Sequence, residues 1–409
     1  MKIKDIGTVV TGKTPATSHA EFYDGDYMFV TPTELHGGYK VSSSEKTITD
    51  EGIKSIKSNT IDGISVLVGC IGWDMGNVAM CFEKCATNQQ INSITKIRDC
   101  FNPYYLYYWL STKKDFLFSI ASVTRTPILS KGVFEEIEIP NTDRLEQDKI
   151  SKMLLLLDQK IEYNAAVNDN LQQQLRLMYD YWFNQFDFPN EEGKPYRASG
   201  GKMQYSFCLK RDIPEGWTEE SVISNSISVP IKPGVERFST KSYLATADVN
   251  GTRLSSGSLI DYETREGRAN MQPTVSSVWF AKMKNSIKHL FLNREMKQLI
   301  DSTILSTGFC GLQCTEKSFE YISAFIEHSY FEDVKNILAH GATQESVNND
   351  DLLGLGMLVP TSEVLELFHA KAKPLYAQIS RNICENQKLT EIRDWLLPML
   401  MNGQATISD

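Results

Sequence analysis

From Glu146 to Trp182, apolar or amide side chains recur at Ile150, Leu154, Leu157, Ile161, Asn164, Asn168, Leu171, Leu175, Met178 and Trp182. The steps alternate four and three. That 3.5-residue repeat puts all of these side chains on one helical seam and requires a second helix to cover it. No Pro or Gly interrupts the run, and Asp143 with Glu146 predicts a capping box at its start. At 1.5 Å per residue the seam is roughly 50 Å long.

The covering helix is in the same chain. Moving 218 positions along, from Ile150 to Phe368, turns the seam into Phe368, Ala372, Leu375, Ile379, Asn382, Asn386, Leu389, Arg393, Leu396 and Leu400. Only Arg393 breaks the pattern. Both seam asparagines recur, at Asn382 and Asn386. An amide on an apolar seam costs stability and fixes register, because it needs a polar partner at one level. Two long helices with the same polar pair indicate an internal duplication, and antiparallel pairing would bring the four amides together near the middle.

The rest of the chain sets bounds. Its length suits two or three domains. The N-terminus lacks the apolar region of a signal peptide, and no run of about 18 apolar residues exists to span a membrane. Eight scattered cysteines suit a reducing cytoplasm better than a disulfide scaffold. Cys81 with Cys85, and Cys310 with Cys314, are spaced by four; without a nearby His, buried free thiols are expected rather than zinc ligands. A net charge of −9 argues against a protein that coats nucleic acid unaided, so any such surface is local or completed by a partner.

The chain reads as globule, helix, linker, globule, helix. Residues 1–141 carry short strand-like runs (Tyr27–Val30, Ser65–Cys70, Val78–Phe82, Ile91–Ile97), an aromatic helix opened by Asn102-Pro103, and a final strand over Phe134–Pro140. Gly12–Pro15, Thr31–Glu34 and Thr124–Pro127 read as loops. The central helix occupies 142–186 and a linker 187–203. A second globule, 204–360, repeats the plan: Tyr243–Ala245 echoes Tyr27–Phe29, and Met357–Pro360 echoes Ile137–Pro140. The C-terminal helix falls within 361–403, with Pro374 as a late possible start, and 404–409 form a tail.

The best local nucleic-acid signal is residues 265–297. Arg265, Arg268, Lys282, Lys284 and Lys288 are suited to phosphates, and Asn270 and Gln272 to an adenine edge. Trp279, Phe280 and Phe291 lie among them and are expected in the core. In the first globule the candidates are Thr14, Thr31, Thr33, Asn88, Gln89, Gln90 and Arg125, on or beside loops. Gln89 and Gln90 suit equally well the capping of a strand end.

Enzyme signatures are weak. Asn102-Pro103-Tyr104-Tyr105 resembles an amino-methyltransferase motif but lacks its second Pro and any glycine-rich turn before it. Glu192-Gly193-Lys194 has no acidic partner, Gly354-Leu355-Gly356 is an incomplete dinucleotide fingerprint, and there is no P-loop.

Gly12–Pro15, Thr31–Glu34, Asn88–Asn92, Asn102–Leu106, Asp158–Glu162, Tyr181–Phe183, Asp187–Pro189, Gly200-Gly201, Arg268–Pro273, Val278–Lys284 and Ser306–Phe309, in this order and with the duplicated helix, resemble the specificity subunit of bacterial type I restriction-modification enzymes. The likeness covers essentially the whole chain. It implies an α+β fold of two mixed target-recognition globules separated by two long helices in an antiparallel coiled coil, with pseudo-two-fold duplication. Each globule would read one half of a bipartite, asymmetric site in double-stranded DNA, which adds Lys13 and Thr307 to the candidate contacts. Leu157, Ile161, Asn164, Asn168 and Leu171 would pair with Leu375, Ile379, Asn382, Asn386 and Leu389 as a ruler. Two methyltransferase subunits, which carry S-adenosylmethionine, and motor-nuclease subunits would join in the cytoplasm. The chain itself would bind no cofactor or metal and do no chemistry. The competing reading from another class is a structural hub whose globules bind protein.

Overall fold

The computed structural model describes residues 1–122, 125–207, 209–255 and 257–407. Thr124, in a predicted loop, lies outside the described residues. Contact density divides the chain into two units, Met1–Lys160 joined by the residues from Leu389 onward, and Ile161–Lys388.

The first unit holds eight strands: Thr8–Thr11 (β1), Tyr23–Val30 (β2), Lys46–Ile48 (β3), Thr60–Ile61 (β4), Ser65–Gly69 (β5), Val78–Cys81 (β6), Cys85–Thr87 (β7) and Ile91–Thr95 (β8). One sheet runs β1-β8-β5-β6 and is antiparallel; the other runs β3-β2-β7-β4, with β2 and β7 parallel. Strand β5 is buried on both faces, which explains its continuous apolar run. Val66 and Val68 pack with Tyr105, Leu106 and Trp109, while Leu67 packs with Val30, Ala79 and Ile91. The aromatic helix Pro103–Ser111 starts where Pro at its first turn and the Asn102 cap on Tyr104 and Tyr105 place it.

Phe134–Pro140 is not a strand throughout. Ser130 Oγ accepts from Val133 N and starts a short helix, Lys131–Glu135, that buries Phe134. The local cap outweighs the alternating pattern.

The second unit repeats the plan with Ser228–Pro230 (β9), Thr240–Leu244 (β10), Ser258–Asp261 (β11), Ala269–Met271 (β12), Ser277–Ala281 (β13), His289–Leu292 (β14), Thr303–Ser306 (β15) and Phe309–Cys314 (β16). Its sheets run β9-β16-β13-β14 and β11-β10-β15-β12, with β10 and β15 parallel. Strand for strand this is the order of the first unit, so the duplication suggested by the helices extends through both globules. Trp279, Phe280 and Phe291 are core residues. Gly311 is dictated by Trp279: an added Cβ would lie 2.4 Å from the indole ring. The stretch read as a linker packs too, Phe188 stacking on Tyr196 at 4.5 Å and on Trp217 at 5.4 Å.

The first long helix covers Arg144–Tyr179, and Asp143 Oδ2 caps it by accepting from Leu145 N at 3.0 Å. A wider-wound turn, Asp180–Asn184, follows. Its extra residue per turn lets Trp182 and Phe183 both face the core. The second long helix covers Ser362–Met401, so Pro374 is internal to it. That position is on the solvent side, where the carbonyl freed by the missing N–H can bond water.

Within the first unit Ile150 and Leu154 share a core cluster with Leu400 and Met401. Arg393 is accommodated by the opposite helix: its Nη1 donates to Asp158 Oδ1 at 2.8 Å, and Tyr108 Oη donates to Asp158 Oδ2 at 2.6 Å. Burial and the Asp158 charge push the Tyr108 phenol well above its usual range.

Within the second unit the helices run antiparallel through their amides. Asn164 Nδ2 donates to Asn386 Oδ1 at 2.9 Å and Asn382 Nδ2 to Asn168 Oδ1 at 2.8 Å. Asn386 Nδ2 reaches the Ile161 carbonyl at 3.1 Å, and Gln378 Nε2 donates to Asn382 Oδ1 at 2.8 Å. Leu171 and Leu375 pack half-buried against a core containing Ile379, and Trp182 meets Phe368 edge-on at 5.5 Å. Leu157 and Leu389, both in the first unit, are half-buried. Tyr376 and Ile383, off the predicted seam, are also buried because the globule covers that flank of the helix.

Candidate nucleic-acid interface

The predicted contact residues sit on turns, and sheet register decides which turns meet. In the first unit β1, β2, β5 and β7 all end on the same side, where β8 begins. Lys13 and Thr14 follow β1, and Thr14 Oγ1 donates to Gln89 Oε1 at 2.9 Å. Thr31 follows β2, and Asn88 N bonds the Val30 carbonyl at 3.0 Å. The turn after β5 is reached from Gln90, whose carbonyl accepts from Cys70 N at 2.7 Å. Arg125 joins through its neighbour Pro127, whose carbonyl accepts from Gly72 N at 3.0 Å. Candidates from four separate stretches thus gather at one end, beside the turn after β5.

Their availability differs. Lys13, Thr33, Gln89 and Arg125 are exposed. Asn88 is buried, and its amide and that of Gln90 bond each other at 2.9 Å, a turn-holding role. Thr31 Oγ1 is committed to Glu34 Oε2 at 2.7 Å.

In the second unit the corresponding ends carry the basic stretch. Thr307, in the turn between β15 and β16, bonds the Arg268 carbonyl through its N–H at 2.8 Å, and Lys282 N bonds the Gly308 carbonyl at 2.9 Å. Arg268, Thr307 and Lys282 are thereby neighbours. Lys282 and Lys288 flank the β13–β14 turn, where Ala281 N bonds the Lys288 carbonyl at 3.0 Å. Arg265 stacks on Tyr262 at 3.9 Å. Lys284 is neutralised by Glu345 at 2.8 Å, which makes it the weakest phosphate candidate of the three lysines. Gln272 Nε2 turns back to the Pro273 carbonyl at 3.3 Å, while Asn270 is half-exposed.

Two residues escaped the sequence reading. Ile231 N bonds the Gly311 carbonyl as Gly12 N bonds that of Ile91, so exposed Lys232 is the counterpart of Lys13. The signal available was Lys one or two residues before Pro after a strand, present in both halves. Trp73, 88 % exposed, stands on the turn after β5, where Ile71 bridges to Ile128, three residues past Arg125; a lone Trp carries no sign of exposure in sequence. Among the described residues no group of His, Cys, Asp and Glu could hold a metal ion. The Cys81 and Cys85 thiols lie 3.3 Å apart in the core. No helix among the described residues is long and apolar enough to cross a membrane.

The fold is that of a twice-repeated α+β protein whose two globules each end in a cluster of polar and basic turns. A type I restriction modification DNA specificity domain model matches residues 1–173. The MjaIX type I specificity subunit of Methanocaldococcus jannaschii is 26% identical over all of this chain and 93% of its own length. The HindI specificity subunit of Haemophilus influenzae is 22% identical, over 64% of this chain and 68% of its own length. The crystal structure of an S subunit from M. genitalium has the same fold, with a TM-score of 0.53 at 16% identity over 98% of this chain and 95% of that one. Residues 1–173 thus match the type I DNA specificity domain, and the chain as a whole is similar to type I specificity subunits.

Proposed function

We propose that each globule reads one half of a bipartite site in double-stranded DNA. The observation that carries this reading is the convergence of duplicated strand ends: in each unit they collect polar and basic side chains, with Lys13, Thr33, Gln89 and Arg125 exposed in one, and Lys232 and Arg268 exposed and Lys282 and Thr307 half-exposed in the other. Cations bond phosphates and set register, while amides and hydroxyls reach base edges. The chain supplies no catalytic group to this reading; adenine methylation with S-adenosylmethionine belongs to the partner.

Salt dependence tests it. Lys282→Ala and Lys288→Ala should each weaken duplex binding by the assembled complex at every sequence, and each should lower the slope of log affinity against log salt by about 0.9. Lys284→Ala should change the slope less, because Glu345 already neutralises that lysine. An unchanged slope in the Lys282→Ala/Lys288→Ala double variant removes this turn from the DNA face. A complex whose mobility DNA never alters favours the protein-binding hub.

The helix pair offers the docking surface for modification subunits. In the first unit Met153, Leu156, Ile392 and Trp395 are exposed. Met153 and Ile392 each precede a seam residue, positions that face each other in antiparallel pairs. Leu156 and Trp395 lie three residues further on, one helical turn away on the same side. In the second unit Leu177, Tyr181 and Leu367 are exposed in the same way, Leu177 standing 218 residues before Trp395. An apolar surface in each unit, with one position in common, suits two copies of one partner. Trp395→Asp places a charge in the centre of one and should cost one of the two modification subunits on co-purification; full recovery of both would count against this surface.

A further inference from the structure

The turn after β5 in the first unit and its duplicate after β13 in the second do something that phosphate binding does not require: each holds a large apolar side chain out in solvent. Trp73 is 88 % exposed and Ile287 is 65 % exposed. Neither turn is loose. Around Trp73, Gly72 takes a left-handed φ of +78° and its N–H bonds the Pro127 carbonyl at 3.0 Å. Gly76 N bonds the Gly69 carbonyl at 2.9 Å, Met75 is fully buried, and Asp74 meets His36 at 2.8 Å. An added Cβ at Gly76 would strike the Lys114 backbone at 2.9 Å, so the turn is seated against its neighbour helix.

Around Ile287 the anchoring is different and as firm. Lys335, fully buried, extends its ammonium to the carbonyls of Ala281 and Ser286, both at 3.1 Å, and to Glu332 at 2.7 Å. Asn285, at a φ of +57°, is fixed through its N–H to Asn336 at 2.8 Å. A charge placed in the core to hold a solvent-facing turn costs desolvation and is kept where the turn must not move. Two unrelated sets of bonds therefore serve one outcome in two copies of the fold: an apolar side chain presented rigidly from the same turn, among the residues placed to face DNA.

We propose that Trp73 and Ile287 are wedges, one per unit, that insert between base steps of the DNA and bend it. This rests on the DNA reading above. A duplex approached by the surrounding cations, Arg125 in one unit and Lys282 and Lys288 in the other, meets these side chains at its stacked bases. Apolar side chains pressed into a base step unstack it and kink the helix, and the energy of unstacking depends on the step. Each half-site would thereby be selected partly by the deformability of one step, at a position with no hydrogen bond to a base edge.

The test uses the full complex and a duplex carrying the sequence whose adenines it methylates, with a fluorophore at each end. Trp73→Ala is expected to reduce the bend, read as a smaller rise in energy transfer on binding, and to weaken affinity about tenfold or more. Trp73→Phe should keep most of both. Ile287→Ala should act on the other half-site. An unpaired mismatch at the wedged step removes the unstacking cost beforehand; it should tighten the wild type and largely restore affinity to Trp73→Ala. The substituted side chains are exposed, so thermal midpoints should be unchanged. If Trp73→Ala and Ile287→Ala bind and bend the duplex like the wild type, the wedges do not exist. If the wild type itself does not bind the duplex, the DNA reading fails instead.

Discussion

Inserting one heptad into each long helix, at matched levels, should lengthen the spacer of the methylated sequence by about three base pairs while leaving the bases at either end unchanged. Seven residues return every seam position to the same face, so Asn164, Asn168, Asn382 and Asn386 keep their partners as long as both insertions lie outside them. They also add roughly 10 Å of helix, against a rise of about 3.4 Å per base pair. Insertion into one helix alone should put the two seams out of register on one side of the insertion, leave buried polar groups unsatisfied, and abolish specific methylation rather than shift it. Sequencing of modified adenines reads both outcomes. A well-folded double insertion that still methylates the original spacing would show that the helices do not measure the site.

The second large effect is expected at Asp158. Asp158→Ala removes the buried partner of the Arg393 guanidinium, leaving it only the exposed Asp394, and strands the Tyr108 hydroxyl where Asp158 is buried. Removing one member of such a pair costs about 3–5 kcal/mol, chiefly as the penalty of the charge left behind. Replacing the group together, with Asp158→Leu, Arg393→Leu and Tyr108→Phe, should recover most of that loss, because an apolar seam needs no compensation there. Urea midpoints of the first unit's transition check both. A loss below about 1 kcal/mol in Asp158→Ala would mean that water already shares the site. In that event Arg393 would be a tolerated irregularity of the seam rather than half of a built pair.

The two predictions come from different levels of information. The 3.5-residue repeat, its 218-residue echo and the doubled asparagines can be read directly from the sequence, because a helix seam imposes its period on the residues that line it. The same period made Arg393 look like a defect. Its partner Asp158 is 235 residues away and off the predicted seam, so no local pattern joins them. The candidate interface divides the same way. Residue chemistry marked Gln89, Arg125, Arg268 and Lys282 one at a time, through loops and local charge. It could not rank them, and Lys284 looked equal to Lys282 until Glu345, 61 residues on, was seen beside it.

By itself the sequence determined the two long helices, their antiparallel need for each other, and the globule that precedes each one, since these follow from periodicity and duplication along the chain. The tertiary structure decided which strand ends lie together, which cations are already neutralised, and that Trp73 and Ile287 point outward while Trp279 is buried. Those outcomes depend on sheet register and on contacts between residues far apart in the chain. The hydrophobicity of a tryptophan says that it should be covered, but not whether the cover is its own core or the DNA proposed for that face.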